Sequence, residues 1–371
     1  MKQLNSIQYL RALAALLVVY CHAIDQQMRL GQSYQQGFHH LQNFGAIGVD
    51  IFFVISGFII SYISKKEVGP KAALIFLKKR FIRINPAYYA ASVIALGFMM
   101  LSNSFSFSTQ STLKTISILP IFESGEIFQN PILHIGWTLS FEWLFYLVVS
   151  LLMLLSVVQY KDHLLILILV VVTLLGILFP SKEIHFNFVT NPMILEFGFG
   201  ILLSIIYKDL KAQPIIYPAL LLAITAAFFI HLIYNGYGEI SEASKILKGE
   251  NVWQRIVIWG IPSATLALGL LFLEKQMGSN FFHNKKLLLL GDASYAIYLV
   301  HQTCFKVIIS VLQKTHFASK LNLDFLVLIL VCISVMTGIL FHIYIEKKLI
   351  SFFNKILVKH EILNSRFSGN V

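Results

Sequence analysis

Long apolar stretches, each of the length that crosses a lipid bilayer, recur along this sequence and restrict its possible folds more than any other feature. The hydrocarbon core of a membrane is about 30 Å thick, so a helix needs about 20 apolar residues to cross it. The stretches lack the alternation of barrel strands, and a helix satisfies its own backbone hydrogen bonds in lipid. We therefore predict an all-α integral membrane protein, a bundle of about ten transmembrane helices. The predicted spans cover residues 7–24, 45–64, 86–101, 137–158, 164–180, 192–207, 215–234, 254–273, 287–306 and 323–344.

Composition favours a single membrane domain. Of the 371 residues, 57% are hydrophobic and 13% are charged, whereas soluble domains average about 25% charged residues. We predict a transmembrane domain over residues 1–350 and a cytoplasmic tail over residues 351–371. The first apolar segment is interpreted as a span and not as a cleaved signal peptide, because Arg11 interrupts it and no small-residue cleavage site follows.

The distribution of basic residues predicts the orientation. Of the 29 Lys and Arg residues, 19 fall in segments that are cytoplasmic if the amino terminus is cytoplasmic, and 9 fall in the outer segments. The positive-inside rule therefore predicts that both termini lie in the cytoplasm. The same bias accounts for much of the net charge of +11, so this charge does not indicate nucleic-acid binding. The three cysteines have no paired spacing, and neither a disulfide nor a metal site is predicted.

Four of the predicted spans contain polar side chains, which are costly in lipid and usually face a cavity or a partner. In the first span, Arg11 and His22 are eleven residues apart, close to three helical turns, and therefore share one face. The other three spans carry Asp50 with Ser56, then Thr138 with Glu142 and Tyr146, and then Ser294 with Tyr298 and His301.

Depth in the membrane divides these polar residues into two groups. The residues predicted to lie in the outer half are His22, Asp50, Glu142 and His301. Arg11 is predicted at the inner side, and Arg80 and Arg83 are assigned to the inner loop that precedes the third span. Paired guanidinium groups suit phosphate, so we predict a phosphate-bearing ligand at Arg80 and Arg83. The pattern would hold a base near an outer substrate and an anion near the inner face.

Several of these residues also have a structural interpretation. Glu142 could form an ion pair with Arg11 or another cation and serve only to stabilise the bundle. Asp50 lies near a predicted interface and fits a structural role better than a catalytic one. Ser56 lies beside a glycine, which is typical of close helix packing, and Tyr298 fits packing or interfacial anchoring.

Five motifs, in order along the chain, resemble acyltransferase family 3, the integral-membrane acyltransferases that modify bacterial surface polysaccharides. The motifs are YLRA at 9–12 with His22, GVDIFFVISGF at 48–58, RFIR at 80–83, WTLSFE at 137–142 with Tyr146, and SYAIYLVH at 294–301. Together they extend over nearly the whole chain, and several resemble the exopolysaccharide-production branch most.

The resemblance implies a ten-span bundle in the bacterial inner membrane, with no permanently bound cofactor. It also implies an acyl-CoA donor, usually acetyl-CoA, on the cytoplasmic side and a glycan acceptor outside, in exopolysaccharide, capsule or lipopolysaccharide. By motif, His22 matches the family's essential histidine and Arg11 its paired arginine. Arg80 and Arg83 match the Arg-x-x-Arg element that is associated with the donor.

A mechanism follows as a hypothesis for transfer from a thioester to a sugar hydroxyl. His22 would act as the general base that removes the hydroxyl proton. Glu142, with Asp50 as second choice, would orient the imidazole ring of His22. The candidates for a donor to the developing oxyanion are Ser56, Tyr298 and His301.

The route across the membrane and two rival functions stay open at this point. Direct transfer is favoured over an acyl-enzyme on His22, Ser56 or Cys21, because no activated Ser or Cys constellation is evident. A transporter or flippase for a glycan or lipid-linked sugar would also have many spans, but transporters often show repeated halves with interrupted helices, which this sequence lacks. A non-catalytic partner of a polysaccharide synthase is a third interpretation. The outer loops over 102–135 and 235–254 are predicted to shape acceptor choice.

Overall fold

A computed structural model describes most of the chain. The described residues are 4–29, 41–64, 68–102, 122–123, 127–128, 132–157, 161–181, 183–209, 211, 214–315 and 323–357. Most of the predicted loop at 102–112 and residues 358–371 of the predicted tail lie outside them. The division at residue 350 therefore stays a prediction.

The described chain consists almost entirely of helices. The first eight are α1 (Asn5–Arg29), α2 (Leu41–Phe44), α3 (Ile47–Ile63), α4 (Pro70–Leu101), α5 (Gly136–Leu154), α6 (Lys161–Leu178), α7 (Ile184–Val189) and α8 (Leu195–Asp209). They are followed by α9 (Ile216–Asn235), α10 (Ala243–Leu247), α11 (Val252–Arg255), α12 (Ile261–Met277), α13 (Lys285–Lys314), α14 (Leu323–Phe341) and α15 (Lys347–Leu357). A 3-10 turn at Pro192–Ile194 and π-helical turns at Ile256–Gly260 and His342–Glu346 join α7 to α8, α11 to α12 and α14 to α15. Two antiparallel strands of two residues each are β1 (Phe122–Glu123) and β2 (Ile127–Phe128).

The prediction of an all-α bundle with about ten crossings is confirmed. Within the described residues, nine helical stretches are long and apolar enough to cross a membrane. The helix α3 is apolar but shorter, with 17 residues, and corresponds to the second predicted span, which brings the number to ten. Every predicted span therefore corresponds to an observed helix.

The prediction for the third span was wrong at its start. The helix α4 begins at Pro70, which follows Gly69 in a left-handed conformation at φ 91°, and Pro86 lies in the helix interior. Arg80 and Arg83 therefore lie on a helix and not in a loop. Proline favours the first turn of a helix, and the basic residues before Pro86 lower the local hydropathy, so the sequence pattern placed the start 16 residues too late.

The helices divide into central and peripheral ones. In α1 and α5, 61% of the most apolar 18-residue segment is buried within the protein, against 22% in α6 and 17% in α9. The large exposed hydrophobic residues of α6 and α9, such as Leu167, Leu178 and Ile224, therefore form the surface that faces lipid.

Glycines permit the closest helix crossings. A methyl group at Gly57 of α3 would lie 2.0 Å from the carbonyl oxygen of Phe197 of α8, and one at Gly200 would lie 2.0 Å from that of Val54. Gly48 of α3 has the same relation to α1, and Gly291 of α13 to α1. The backbones of α1, α3, α8 and α13 consequently touch without intervening side chains, as small residues allow in membrane bundles.

Polar contacts fix several helix ends on the side where α1 begins, called here the inner end. The carboxylate of Glu274 accepts hydrogen bonds from the backbone amides of Asn5 and Ser6, each at 2.9 Å, and so caps the first turn of α1. At the end of α3, the ammonium group of Lys161 donates to the hydroxyl of Ser64 at 2.9 Å and to its carbonyl oxygen. The first set of contacts joins α1 to α12, and the second joins the end of α3 to α6.

Candidate active site

A cavity of about 540 Å³ lies inside the bundle among α1, α3, α4, α5, α13 and α15. Along α3 it extends from Val49 to Ile63, fourteen residues that correspond to about 21 Å of helix. The hydrocarbon core is about 30 Å thick, so the cavity spans much of the membrane depth. Ile350 and Asn354 of α15 line its inner part.

Basic side chains line one part of this cavity. Arg11 of α1 contributes one guanidinium group, and Lys79, Arg80 and Arg83 of α4 contribute three further cationic groups. The guanidinium of Arg80 lies 5.6 Å from the ring centre of Phe76 and 5.9 Å from that of Tyr146. Among the described residues, nothing accepts a hydrogen bond from its buried Nε atom. The predicted phosphate-binding arginines thus face one cavity together with Arg11.

Arg83 is held by an acidic residue of the last span. Its Nη1 atom lies 2.5 Å from Oε1 of Glu346, whose side chain is fully buried. The other oxygen of Glu346 lies 2.6 Å from Nδ1 of His342, one turn earlier in the π-helical segment. Arg83 also lies over the ring of Tyr295 at 5.6 Å. The ion pair connects α4 to the segment that leads into α15.

Glu142 lies at the middle of the cavity and binds two hydroxyl groups. Oε1 of Glu142 accepts a hydrogen bond from Oγ of Ser56 at 2.8 Å and another from the hydroxyl of Tyr146. Thr138, Glu142 and Tyr146 line the cavity along one face of α5, as their spacing predicts. The carboxylate of Glu142 thus binds Ser56 and Tyr146, and its role as the partner of His22 stays a prediction.

Tyr298, Thr138 and Phe52 line the part of the cavity that lies away from the inner end, called here its upper end. The hydroxyl of Tyr298 lies 3.1 Å from Oγ1 of Thr138 and donates to the carbonyl oxygen of Ile135 at 3.4 Å. The ring of Phe52 meets that of Tyr298 edge to face, with centres 6.0 Å apart.

Two histidines form a pair beyond this upper end. Nδ1 of His22 lies 2.8 Å from Nε2 of His301, and the two rings stack with centres 5.1 Å apart and planes 9° apart. The ring of His301 packs against that of Tyr298 at 5.9 Å. Within the described residues neither histidine lines the cavity, whereas Tyr298, which packs against His301, does. His301 is one turn along α13 from Tyr298.

The hydrogen bonds of the pair fix which nitrogen of each neutral ring carries the proton. A backbone carbonyl only accepts, so Nδ1 of His301, 2.7 Å from the carbonyl oxygen of Tyr298, must donate. Nε2 of His301 then accepts from Nδ1 of His22. In this arrangement Nε2 of His22 keeps its lone pair and can act as a base. From the sequence, His301 was a candidate only for an oxyanion donor, and its contact with His22 was not predicted.

Asp50 belongs to a separate buried cluster at the outer side. Its carboxylate binds Arg255 through two bonds of 3.0 Å and 2.7 Å, and the two side chains are 0% and 1% exposed. Glu196, also fully buried, lies beside both groups. Arg255 stacks over Trp259 at 4.9 Å. These contacts agree with the structural interpretation of Asp50, and they do not connect it to His22.

Part of the predicted acceptor loop at 235–254 is attached to the bundle by Arg255 of this cluster and by Asn191. Arg255 donates to the carbonyl oxygen of Ile240 at 2.9 Å, and Asn191 donates to that of Ile246 at 2.7 Å. On the exposed surface of this loop, the hydrogen bond between Glu239 and Lys245 raises the pKa of Lys245 and lowers the pKa of Glu239. The described part of the other acceptor loop includes too few residues to place it.

The structure thus brings most of the predicted residues to one cavity and its upper end. The predicted site residues that line the cavity are Arg11, Ser56, Arg80, Arg83, Glu142 and Tyr298. The partners that sequence reasoning missed are Arg255 for Asp50 and Glu346 for Arg83. The signal for Glu346 was a carboxylate just after the last apolar run, at 323–344, since such a group near the membrane needs a cation or a hydrogen-bond donor.

Comparison with known proteins gives a consistent family match. A profile of the acyltransferase domain matches residues 4–344. The exopolysaccharide production protein ExoZ of Rhizobium meliloti (strain 1021) is 28% identical over 324 residues, which cover 84% of this chain and 91% of that protein. An O-acetyl transferase of Shigella phage Sf6 is 28% identical over 203 residues, which cover 50% of this chain and 57% of that protein. No solved structure matches significantly.

Proposed function

The chain belongs to acyltransferase family 3, and on this premise we propose that it is an acyl-CoA-dependent O-acyltransferase acting on an extracytoplasmic glycan. The observation that carries the proposal is the cavity along α3, with cationic groups in it and a histidine pair at its upper end. The names of two relatives support the finer assignment. One is an exopolysaccharide production protein and another an O-acetyl transferase. We therefore propose acetyl-CoA as donor and the bacterial inner membrane as location.

The cationic groups would bind the phosphates of the donor. Arg80 and Arg83 are the principal candidates, because guanidinium groups form paired hydrogen bonds with phosphate oxygens. The buried Nε of Arg80 has no hydrogen-bond partner among the described residues, so a ligand that accepts there would remove an energetic cost. Arg11 and Lys79 add positive charge to the same cavity.

The depth of the cavity supports direct transfer between the two sides of the membrane. A donor with its nucleotide at the inner end would extend its thioester arm along α3 for up to about 21 Å. The acyl group would then reach the level of Thr138 and Tyr298, next to the histidine pair. The acceptor hydroxyl would approach His22 from the outer side.

His22 would act as the general base, with His301 as its positioning residue. Nε2 of His22 takes the proton of the sugar hydroxyl while the hydroxyl oxygen attacks the thioester carbonyl. The tetrahedral intermediate collapses with cleavage of the carbon–sulfur bond, and the imidazolium returns the proton to the departing thiolate. The hydrogen bond that Nδ1 of His22 donates to Nε2 of His301 keeps the proton of neutral His22 on Nδ1, as a hydrogen bond to a carboxylate does in Ser-His-Asp sites.

An acyl-enzyme on Ser56 is the alternative route that one contact favours. The hydroxyl of Ser56 lies in the cavity and donates to Glu142 at 2.8 Å. A carboxylate in this position could accept the serine proton. Direct transfer predicts that Ser56→Ala keeps measurable glycan acylation and that no labelled protein accumulates.

The test is transfer of label from acetyl-CoA to glycan in membrane vesicles. Wild type is compared with His22→Ala, and His231→Ala serves as control because His231 is exposed on α9. We expect labelled glycan with wild type and with His231→Ala, and a loss of about 10²–10⁴-fold with His22→Ala, the usual contribution of a general base.

Each alternative result rejects a defined part of the proposal. No labelled glycan from wild type with acetyl-CoA or longer acyl-CoA would reject the donor assignment. Equal labelling by His22→Ala, at equal protein level, would reject His22 as the base. A labelled protein that forms and decays fast enough to account for turnover, and that Ser56→Ala abolishes, would replace direct transfer by the acyl-enzyme.

A further inference from the structure

The upper end of the cavity is lined by side chains that are held in different ways. Tyr298 is 6% exposed, and its hydroxyl is held by Thr138 at 3.1 Å and by the carbonyl oxygen of Ile135 at 3.4 Å. Moving its ring would break both hydrogen bonds inside the bundle, which is costly for buried polar groups. Tyr298 therefore forms the fixed part of this end.

Phe52 forms the part that is held only by packing. It lies on α3, lines the cavity and is partly buried. It packs against three separate hydrophobic clusters of the bundle. Its edge-to-face contact with Tyr298, at 6.0 Å between ring centres, brings it to the same level. A phenyl ring has no polar anchor, so packing alone holds Phe52 in place at the level of Tyr298.

We propose that Phe52 determines the length of the acyl group that the enzyme transfers. This inference rests on the proposed function, since it concerns the acyl end of the same donor. A thioester aligned with His22 would place its acyl carbons beside Phe52 and Tyr298, and the ring of Phe52 would leave room for a short group. The ligand class is therefore short straight-chain acyl thioesters, and Phe52 is a specificity-determining residue.

The size of the effect follows from packing. The wall around the cavity is close-packed, so an additional methylene group that meets the ring of Phe52 needs space that this wall does not contain. Discrimination by a hydrophobic pocket amounts to about 10–200-fold for each methylene group. Removing the ring of Phe52 should relax this discrimination against the longer donors.

The experiment compares acetyl-, propionyl- and butyryl-CoA as donors in vesicles that contain the full-length protein. The measured quantity is the ratio of kcat/KM for butyryl-CoA to that for acetyl-CoA. The variants are Phe52→Ala, Phe52→Leu and, as matched control, Ile59→Ala. Ile59 lines the same cavity on the same face of α3, two turns towards the inner end.

We expect the ratio to rise at least about 10-fold in Phe52→Ala, to rise less in Phe52→Leu and to stay at the wild-type value in Ile59→Ala. Ile59→Ala is free to change the KM for all donors alike. If Phe52→Ala does not fold, as judged by size-exclusion chromatography, Phe52→Leu decides the question.

Three results would overturn the inference. An unchanged ratio in the folded Phe52 variants would remove Phe52 from acyl selection. An equal rise in Ile59→Ala would show general loosening of the cavity. If the wild type transfers acetyl groups but no variant changes the ratio, only this inference is rejected. If the wild type is inactive with every donor, the proposed function is rejected, and this inference with it.

Discussion

Breaking the ion pair between Asp50 and Arg255 is expected to destabilise the protein without changing its chemistry. Both side chains are almost completely buried and joined by two hydrogen bonds. Removing one partner of a buried ion pair costs about 3–5 kcal/mol, because the other charge is left buried without compensation. Neither residue lines the cavity within the described chain, so binding of the donor should be unaffected.

The two single variants should differ in cost. In Asp50→Asn, Arg255 keeps its bonds to the carbonyl oxygens of Ile240 and Ala46 and has the carboxylate of Glu196 nearby. In Arg255→Met, two buried acidic groups lose their cation. We therefore expect Arg255→Met to reach the full range of about 3–5 kcal/mol and Asp50→Asn to cost less.

The assay is unfolding of the purified protein in mixed micelles with increasing sodium dodecyl sulfate. Tryptophan fluorescence is a suitable signal, since Trp259 packs against Arg255 at 4.9 Å. Together with the single variant Asp50→Leu, the double variant Asp50→Leu with Arg255→Met completes a mutant cycle. The double variant should be more stable than Arg255→Met alone, because it leaves one buried acidic group, Glu196, without a cation instead of two. As control, Asp162→Asn removes the partly exposed pair with Lys208, which should be worth about 0–1 kcal/mol.

The reasoning would be refuted by a variant that is stable but inactive. If Asp50→Asn unfolds like the wild type yet loses acyl transfer, Asp50 takes part in the reaction and the structural interpretation is wrong. A cost no larger than that of Asp162→Asn would show that the buried pair contributes little. Activity must therefore be normalised to the folded fraction in every sample.

Three further predictions concern the site and the bundle. His301→Phe should lower kcat by about 10–100-fold, part of the general-base contribution, with little change in the donor KM; a KM effect alone would contradict the positioning role. Arg80→Gln should raise the KM for acyl-CoA by about 10-fold or more, because hydrogen bonds to charged groups are worth about 1.5–3 kcal/mol, and an unchanged KM would exclude Arg80 from the donor site. Gly57→Ala should destabilise the protein by about 1–3 kcal/mol, since its methyl group would meet the carbonyl oxygen of Phe197 at 2.0 Å; unfolding like that of wild type in the same micelle assay would contradict this contact.

Features encoded within one helix were predictable from the sequence. Each of the ten apolar runs corresponds to a helix of the described chain. Helical spacing placed Thr138, Glu142 and Tyr146 on one face, which the cavity confirms. The start of α4 was not predictable in this way, because Lys78, Lys79 and Arg80 interrupt the apolar pattern while a helix can carry them on its cavity side.

Features that depend on which helices are neighbours were not predictable from periodicity. His22 and His301 are separated by 279 residues, Asp50 and Arg255 by 205, and Arg83 and Glu346 by 263. Spacing along one helix states which side chains share a face, but it does not state which other helix that face meets. The sequence suggested a carboxylate as the group that orients His22, whereas the contact at 2.8 Å comes from a histidine on another helix. The role of a carboxylate there stays a prediction.

The glycine crossings also bear on how sequences with this fold can diverge. Where the backbone of α3 touches those of α1 and α8, at Gly48, Gly57 and Gly200, any larger residue would have to displace a main chain, so substitution there should be nearly forbidden. A methyl group at Gly97 of α4 would meet no neighbouring helix of the described chain within 4 Å, so this position carries no such restriction. Homologues that come to use new donors or acceptors should therefore accumulate their differences on α4, α5 and the outer loops, while the wall formed by α1, α3 and α8 changes little.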